Sequence, residues 1–207
     1  MAAFTTYSDL QATIASYLAR TDLTAMIPTF IQLAETRLQR ELRIRPMLKV
    51  VTTTTTPNDS TVELPSDFLE MRDLHINASP IYVLKYDAPN VFYRNTWSAI
   101  SGRPTNYTTL AQDFQLAPIP DTDYTLQMLY YAAPDYLSNT NQSNVFLANC
   151  PDLLLYASLA EAEPYIMNDE RLTTWANLYQ RGVEALKISD DQGEYAGSPL
   201  TMSVAIR

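Results

Sequence analysis

The chain has 207 residues, of which 46% are hydrophobic and 18% are charged, enough for one good core or two small ones. Its formal net charge of -9 argues against broad phosphate binding, because affinity for nucleic acids depends on lysine and arginine. One cysteine, one histidine and four glycines exclude an internal disulfide, a structural zinc site and a glycine-rich phosphate loop.

Neither a membrane span nor a secretion signal is expected from the sequence. No run of about 18 apolar residues occurs. The segment MAAFTTYSDL lacks the basic flank and the apolar core of a signal peptide. We therefore expect a protein that is made in the cytoplasm and does not enter a membrane.

Two amphipathic helices are predicted in the first 46 residues. In YSDLQATIASYL, Ser8 and Gln11 have the spacing of a capping box, and one face carries Leu10, Ile14, Tyr17 and Leu18. In IPTFIQLAETRLQRELRI, Pro28 fits the first turn and the helix ends before Pro46. Its apolar face contains Ile27, Ile31, Ala34, Leu38 and Leu42.

From Met47 the apolar period changes from about 3.6 to about 2, which is typical of strands. LKVVTTTTT and TVELP flank the turn PNDS and predict a hairpin. DFLEMRDLHI, PIYVLKY and YTLQMLYYAAP predict further strands, and DAPNVFYRNTW predicts a short helix capped by Asp87. TNYTTL and DFQLAP, separated by AQ, predict two short strands, and the prolines that follow mark a turn.

Helical periodicity returns after the polar loop SNTNQSN. NCPDLLLYASLAEAEPYI predicts a central, almost wholly apolar helix with Asn149 as its cap, Pro151 in its first turn and a kink or end at Pro164. NDERLTTWANLYQRGVEALKI predicts a fourth helix, with an apolar stripe at Leu172, Trp175, Tyr179, Val183 and Leu186. The composition of DDQGEYAGS is that of a flexible linker.

These elements predict an α+β fold. A four-helix bundle, formed by residues 1–46 and 149–189, is interrupted by a β-rich insert over 47–148 and followed by an extended C-terminal tail over 190–207. In that tail, PLTMSVAIR alternates strictly and places Leu200, Met202, Val204 and Ile206 on one face of an extended segment. Such a strand can join its own sheet, or the exposed edge of another subunit or another protein.

Five basic residues fall within one short window of this acidic sequence. Steps of three place Arg37, Arg40 and Arg43 along one side of a helix, and Arg45 and Lys49 follow closely. The cluster is either a solvated face or a patch that contacts an acidic partner.

The best enzymatic candidate is a group of acids around the single histidine. Carboxylates held close together can act as acid and base, and a carboxylate can orient an imidazole. This group would support a small hydrolase built on Asp67, Asp73 and His75, but no nucleophile elbow or metal-spaced pair accompanies it. We therefore expect no enzyme, no catalytic residue, no cofactor and no bound metal. The full group is Glu63, Asp67, Glu70, Asp73 and His75.

Two other residue types invite a functional interpretation. Cys150 at a helix start is either a reactive thiol, since a helix N-terminus lowers a thiol pKa, or a small core or cap residue. The aromatic residues of the insert suit a sheet core or subunit interface, with a carbohydrate-binding module as the alternative. They are Tyr82, Tyr86, Phe92, Tyr93, Trp97, Tyr107, Tyr130, Tyr131 and Tyr136.

Taken in order, several motifs resemble the head-to-tail adaptor, or connector, proteins of short-tailed bacteriophages, and this resemblance covers nearly the whole chain. The motifs are the first helical stretch through RLQRELR, then ELPSDFLEM, GRPTNYTT, FQLAPIPDTDYTLQMLYYAAPDYL, CPDLLLYASLAEAEPYI and WANLYQRGVEAL. The resemblance implies a structural virion protein at the head–tail interface, made in the host cytoplasm, without catalytic residues.

The resemblance also implies a set of partners. Such adaptors form a ring of about twelve copies beneath the portal. They bind the portal protein, help to retain packaged DNA, form part of the ejection channel and provide a platform for tail nozzle and tail fibre proteins. Double-stranded DNA passes through the lumen without sequence-specific binding, and a net negative charge suits that passage. C-terminal extensions of such adaptors often reach the portal, which makes the apolar face of the tail a candidate for binding the portal or a neighbouring subunit.

Overall fold

The computed structural model describes residues 4–97, 99–166 and 171–195. The chain divides into two compact units. The helical unit comprises Met1–Pro46 and Pro134–Arg207, and the β unit comprises Met47–Ala133. Residues 134–148, which we expected in the β-rich insert, therefore lie in the helical unit. The described residues form seven helices and two sheets, so the α+β class is confirmed.

The helical unit begins with α1 (Tyr7–Leu18) and α2 (Ile27–Glu41). The predicted capping box is wrong, because the N-cap of α1 is Thr6, whose hydroxyl accepts the backbone N–H of Asp9 at 3.2 Å. Ala19 ends α1 in the left-handed conformation with φ of 53°. All five apolar positions predicted for α2 are buried, whereas Tyr17 of α1 remains 42% exposed.

Four further helices belong to the helical unit: α4 (Val145–Asn149), α5 (Pro151–Glu161), α6 (Glu163–Ile166) and α7 (Arg171–Tyr195). The apolar α5 packs against α1, α2 and α7, which explains why it has no polar face. Gly182 of α7 lies against the side chain of Leu153, at a distance that leaves no room for a β-carbon.

Two predictions for this region are corrected, and one short helix was not predicted. Asn149 does not cap α5, because it is the last residue of α4 and Cys150 occupies the cap position. The short α4, which the periodicity did not reveal, begins where the Asn144 side chain accepts the N–H of Leu147 at 3.0 Å. The segment from residue 190, which we expected to be a linker, instead continues α7 as far as Tyr195. Within it, Asp190 accepts a hydrogen bond from Arg45.

The β unit contains two four-stranded sheets that enclose one core. The first sheet has the order β1-β8-β3-β4 and the second the order β2-β7-β6-β5. The strands are β1 (Leu48–Thr54), β2 (Thr61–Glu63), β3 (Phe68–Ile76), β4 (Tyr82–Val83), β5 (Lys85–Tyr86), β6 (Asn106–Leu110), β7 (Asp113–Ala117) and β8 (Thr125–Ala132).

The predicted hairpin of LKVVTTTTT with TVELP is wrong. β1 pairs along its whole length with β8, from Leu48 opposite Tyr131 to Thr54 opposite Thr125, while β2 pairs with β7 in the other sheet. The turn PNDS is thus a crossover between sheets. The two strands predicted from TNYTTL and DFQLAP are confirmed, and in the structure they pair as β6 and β7 in a hairpin around Ala111 and Gln112.

The short helix predicted after β5 is present, although its predicted cap is wrong. This stretch forms one short helix, α3 (Pro89–Val91), which continues as a wide, π-helical turn over Phe92–Thr96. Asp87 does not cap α3. Its carboxylate instead accepts hydrogen bonds from Thr96 at 2.8 Å and from Asn106 at 2.7 Å, which fastens the end of the wide turn to β6.

Candidate interaction surfaces

The acids predicted around His75 do not assemble into one site. Asp73 contacts the imidazole, with Oδ2 at 2.6 Å from Nδ1 of His75. Asp67 serves a structural role: burial opposes its ionisation, but hydrogen bonds from Lys49 and Tyr130 hold its carboxyl pKa below the ordinary value. Glu63 lies on β2, in the other sheet. The geometry therefore places the Asp73–His75 pair on β3 and Glu63 in the other sheet, which separates part of the predicted group.

Cys150 is a core residue. It is 2% exposed, and burial with the nearby Asp152 charge raises the pKa of its thiol to about 12. A thiol with that pKa stays protonated near neutral pH, so of the two interpretations the sequence allowed, the structure favours a core residue over a reactive thiol. Its position at the start of α5 does not compensate for the loss of hydration.

Most of the predicted basic cluster is engaged inside its own unit. Arg37 pairs with Glu41 at 3.0 Å and with Glu161 at 3.6 Å, and its guanidinium lies 4.3 Å from the ring centroid of Tyr179. Such a stacked and paired arginine stabilises packing between helices.

The other four basic residues are distributed differently. Arg43 donates to the backbone carbonyls of Gln39 and Leu42, and Arg45 pairs with Asp190 at 3.0 Å. Lys49 belongs to the β unit. Arg40 is exposed on α2. A contact between this cluster and an acidic partner stays a prediction, with Arg40 as its best-placed member.

The aromatic residues of the β unit serve two purposes. Tyr107, Tyr130 and Phe92 are buried in its interior, as a sheet core requires. Tyr93 and Trp97 remain 43% and 37% exposed, with ring centroids 6.1 Å apart and both rings against Phe92. Exposed aromatic rings held by a buried one are typical of a protein contact surface.

Four surface pockets, with volumes of about 400 to 540 Å³, are lined by residues other than His75 and Cys150. Over residues 4–97, 99–166 and 171–195, no group of three or more metal-binding side chains occurs. No helix in the same part of the chain is both long and apolar enough to cross a bilayer. The predicted tail residues Leu200, Met202, Val204 and Ile206 lie outside the described residues.

A feature that sequence reasoning missed is the open side of the β unit. There the outer strands β1 and β2 of the two sheets border a groove of about 540 Å³. Val51 and Met128 contribute apolar surface to it beside several threonines and Glu63, and Val50 on the opposite face of β1 is 55% exposed. The run VVTTT, uncharged and rich in β-branched residues, was the available signal for such an edge.

Comparison with known families assigns the chain as a whole. The family model described as SU10 adaptor protein matches residues 5–203, which includes both units and part of the tail. The chain belongs to the SU10 adaptor protein family. No curated protein matches it significantly.

SU10 adaptor proteins are a phage head–tail adaptor family, so the resemblance seen in the sequence is confirmed. As an SU10 adaptor protein, the chain is a structural component of a bacteriophage virion and associates with other virion proteins. The family is a structural one and generally non-enzymatic.

Proposed function

We propose that this protein forms the adaptor ring between the head and the tail of the virion, with about twelve copies in a closed ring. The observation that carries the proposal is the SU10 adaptor match over residues 5–203. One face of the ring binds the portal, and the other provides the platform for tail nozzle and tail fibre proteins.

The charge of the chain supports a role in the DNA path. A net charge of -9 per subunit, multiplied around a ring, repels phosphate and lets double-stranded DNA slide through the lumen without sequence-specific contacts. By occupying the exit beneath the portal, the ring helps to retain packaged DNA and later forms part of the ejection channel.

The surfaces of both units support extensive protein contacts. In the β unit, Trp97, Tyr93 and Ile100 are 37%, 43% and 70% exposed. In the helical unit, Leu33 and Tyr165 are 46% and 45% exposed. Aromatic and large apolar side chains of this kind are enriched at interface cores, and a ring multiplies weak contacts through avidity. The tail residues Leu200 to Ile206 bind the portal or a neighbouring subunit.

The test is the particle mass of this protein mixed with the portal protein from the same genome, measured by light scattering. We expect the portal particle to gain a mass equal to about twelve copies. A portal particle of unchanged mass, with this protein still free in solution, would contradict the adaptor-ring proposal.

The same assay tests the basic cluster with a matched pair of variants. Arg40→Glu reverses an exposed charge on α2, and Arg181→Glu makes the same change at an exposed position of α7. If the predicted cluster contacts an acidic partner, Arg40→Glu weakens portal or tail binding, most strongly at low salt, while Arg181→Glu binds as wild type does. Equal binding by both variants would identify the cluster as a solvated face.

A further inference from the structure

The outer edge of β1 differs from the other outer edges of the two sheets. β1 has seven residues, whereas β2 has three and β4 and β5 have two each. Short outer strands limit unwanted pairing, and a long one is a template for an added strand. Among the described residues, β1 pairs with β8 on one side and with no strand on the other.

The chemistry of this edge favours strand addition. LKVVTTT contains no proline and no acid, and its one charged residue, Lys49, is paired with Asp67 at 2.6 Å. Charged residues and prolines are the usual means of protecting an edge. β1 has no proline, and its single charged residue, Lys49, is already paired with Asp67.

The groove beside β1 indicates what an added strand must present. Its walls include Val51 of β1, Val62 of β2 and Met128 of β8, which belong to the apolar interior of the β unit or pack against it, together with threonines of both strands and Glu63. An extended segment hydrogen-bonded to β1 would direct alternate side chains into this groove. Apolar residues at every second position, with small polar residues between them, would therefore fit.

We propose that the open edge of β1 accepts residues 199–207 of a second copy of this chain as an added strand, an inference that rests on the proposed ring. The segment PLTMSVAIR provides Leu200, Met202, Val204 and Ile206 for the groove and Thr201, Ser203 and Ala205 for the outer face. The nine residues of this segment are long enough to pair with all seven residues of β1. The outer face then continues the threonines of β1.

A second copy is the occupant because the edge and the tail are different surfaces of one subunit. When each subunit donates a tail and accepts a tail, the contact is heterologous, and a heterologous contact with the right rotation closes into a ring. The main-chain ladder supplies affinity, and the alternating side chains set the register.

A peptide with the sequence of residues 199–207 tests the edge, using the chain ending at Ser198 as receptor. Hydrogen–deuterium exchange should show new protection at amides of β1 and none at β4, the opposite edge of the same sheet. A peptide carrying Met202→Asp and Val204→Asp should bind about thirtyfold more weakly, because two apolar side chains leave the groove. The matched peptide, with Thr201→Asp and Ser203→Asp on the outer face, should bind within about threefold of the original.

Disulfide trapping tests whether the tail comes from a second copy. A full-length chain carrying Ser203→Cys, with Thr52→Cys or Thr54→Cys, is oxidised on the portal particle and analysed on a non-reducing gel. We expect a ladder of covalently linked chains; Cys150 does not interfere because it is buried. A single-chain product with its disulfide formed within one chain would overturn the proposal.

The outcomes separate this inference from the function on which it rests. If the protein adds its ring mass to the portal but β1 stays unprotected and no linked chains form, strand exchange is wrong and the adaptor role stands. If the portal particle gains no mass, the proposed function itself fails. If the two Asp-substituted peptides lose binding equally, the proposed binding of the apolar face in the groove is refuted, because the loss would then depend on the added charge and not on which face of the strand carries it.

Discussion

The buried carboxylate of Glu35 should make the stability of the helical unit depend on pH in an unusual direction. Glu35 is 1% exposed, and its oxygens accept the N–H of Leu137 at 3.0 Å and the side-chain amide of Asn144 at 2.6 Å. Burial outweighs these hydrogen bonds and raises its pKa from 4.5 to about 7. The residue thereby fastens the segment after the β unit to α2.

The sign follows from linkage. An acid whose folded pKa is raised stabilises the fold while it is protonated, and that contribution is lost as the pH rises from the unfolded pKa through the folded one. With values of 4.5 and about 7, the free energy of unfolding should fall by about 2 to 3 kcal/mol between pH 5 and pH 8. Above pH 8 the contribution becomes constant.

Glu35→Gln removes the titration while keeping the size of the side chain. We expect the variant to lose this pH dependence. Placing its amide beside the Asn144 amide can lower the free energy of unfolding, but by the same amount at every pH. Glu184→Gln, an exposed change of equal charge on α7, should keep the wild-type slope. In a Trp97→Phe background the emission of the buried Trp175 reports the helical unit, so urea unfolding can be followed from pH 5 to pH 8. Parallel curves for wild type and Glu35→Gln would refute the reasoning.

Three further outcomes are expected. Gly182→Ala should cost about 1 to 3 kcal/mol, because the added methyl meets Leu153, whereas Gly102→Ala should stay within about 0.5 kcal/mol; urea unfolding of each unit checks both. Asn144→Ala should cost about 1 to 3 kcal/mol, since one change removes a helix cap and a carboxylate partner, and a loss below about 0.5 kcal/mol would contradict these contacts. Cys150 should resist a thiol reagent at pH 8 until the protein unfolds; rapid labelling of the native state would contradict its burial.

Periodicity found most of the helices and strands but could not assign strand partners. The stripe of α7 was visible because Trp175, Tyr179 and Val183 recur at helical spacing and are all buried. β1 and β2 were paired in prediction because a turn separates them. In the structure each joins a strand at least 50 residues away, and nothing local in the sequence encodes that choice.

The candidate site shows the same limit. The sequence grouped Asp67 with His75 by proximity along the chain, but Lys49 and Tyr130 engage this carboxylate in the folded β unit. Caps were similarly ambiguous: Thr6 and Ser8 both suit the start of α1, and only the backbone conformation at Thr6 decides between them. The adaptor assignment depended instead on the order of several motifs, which does not require correct strand pairing.

The pairing of β1 with β8 places the two ends of the β unit side by side. Leu48 lies opposite Tyr131, so the chain enters and leaves this unit at neighbouring positions. An insertion of this kind can be lengthened, shortened or exchanged for another module without changing the path of the helices that precede and follow it. Related phages could thus alter one set of virion contacts through the inserted module and leave the helical scaffold as it is.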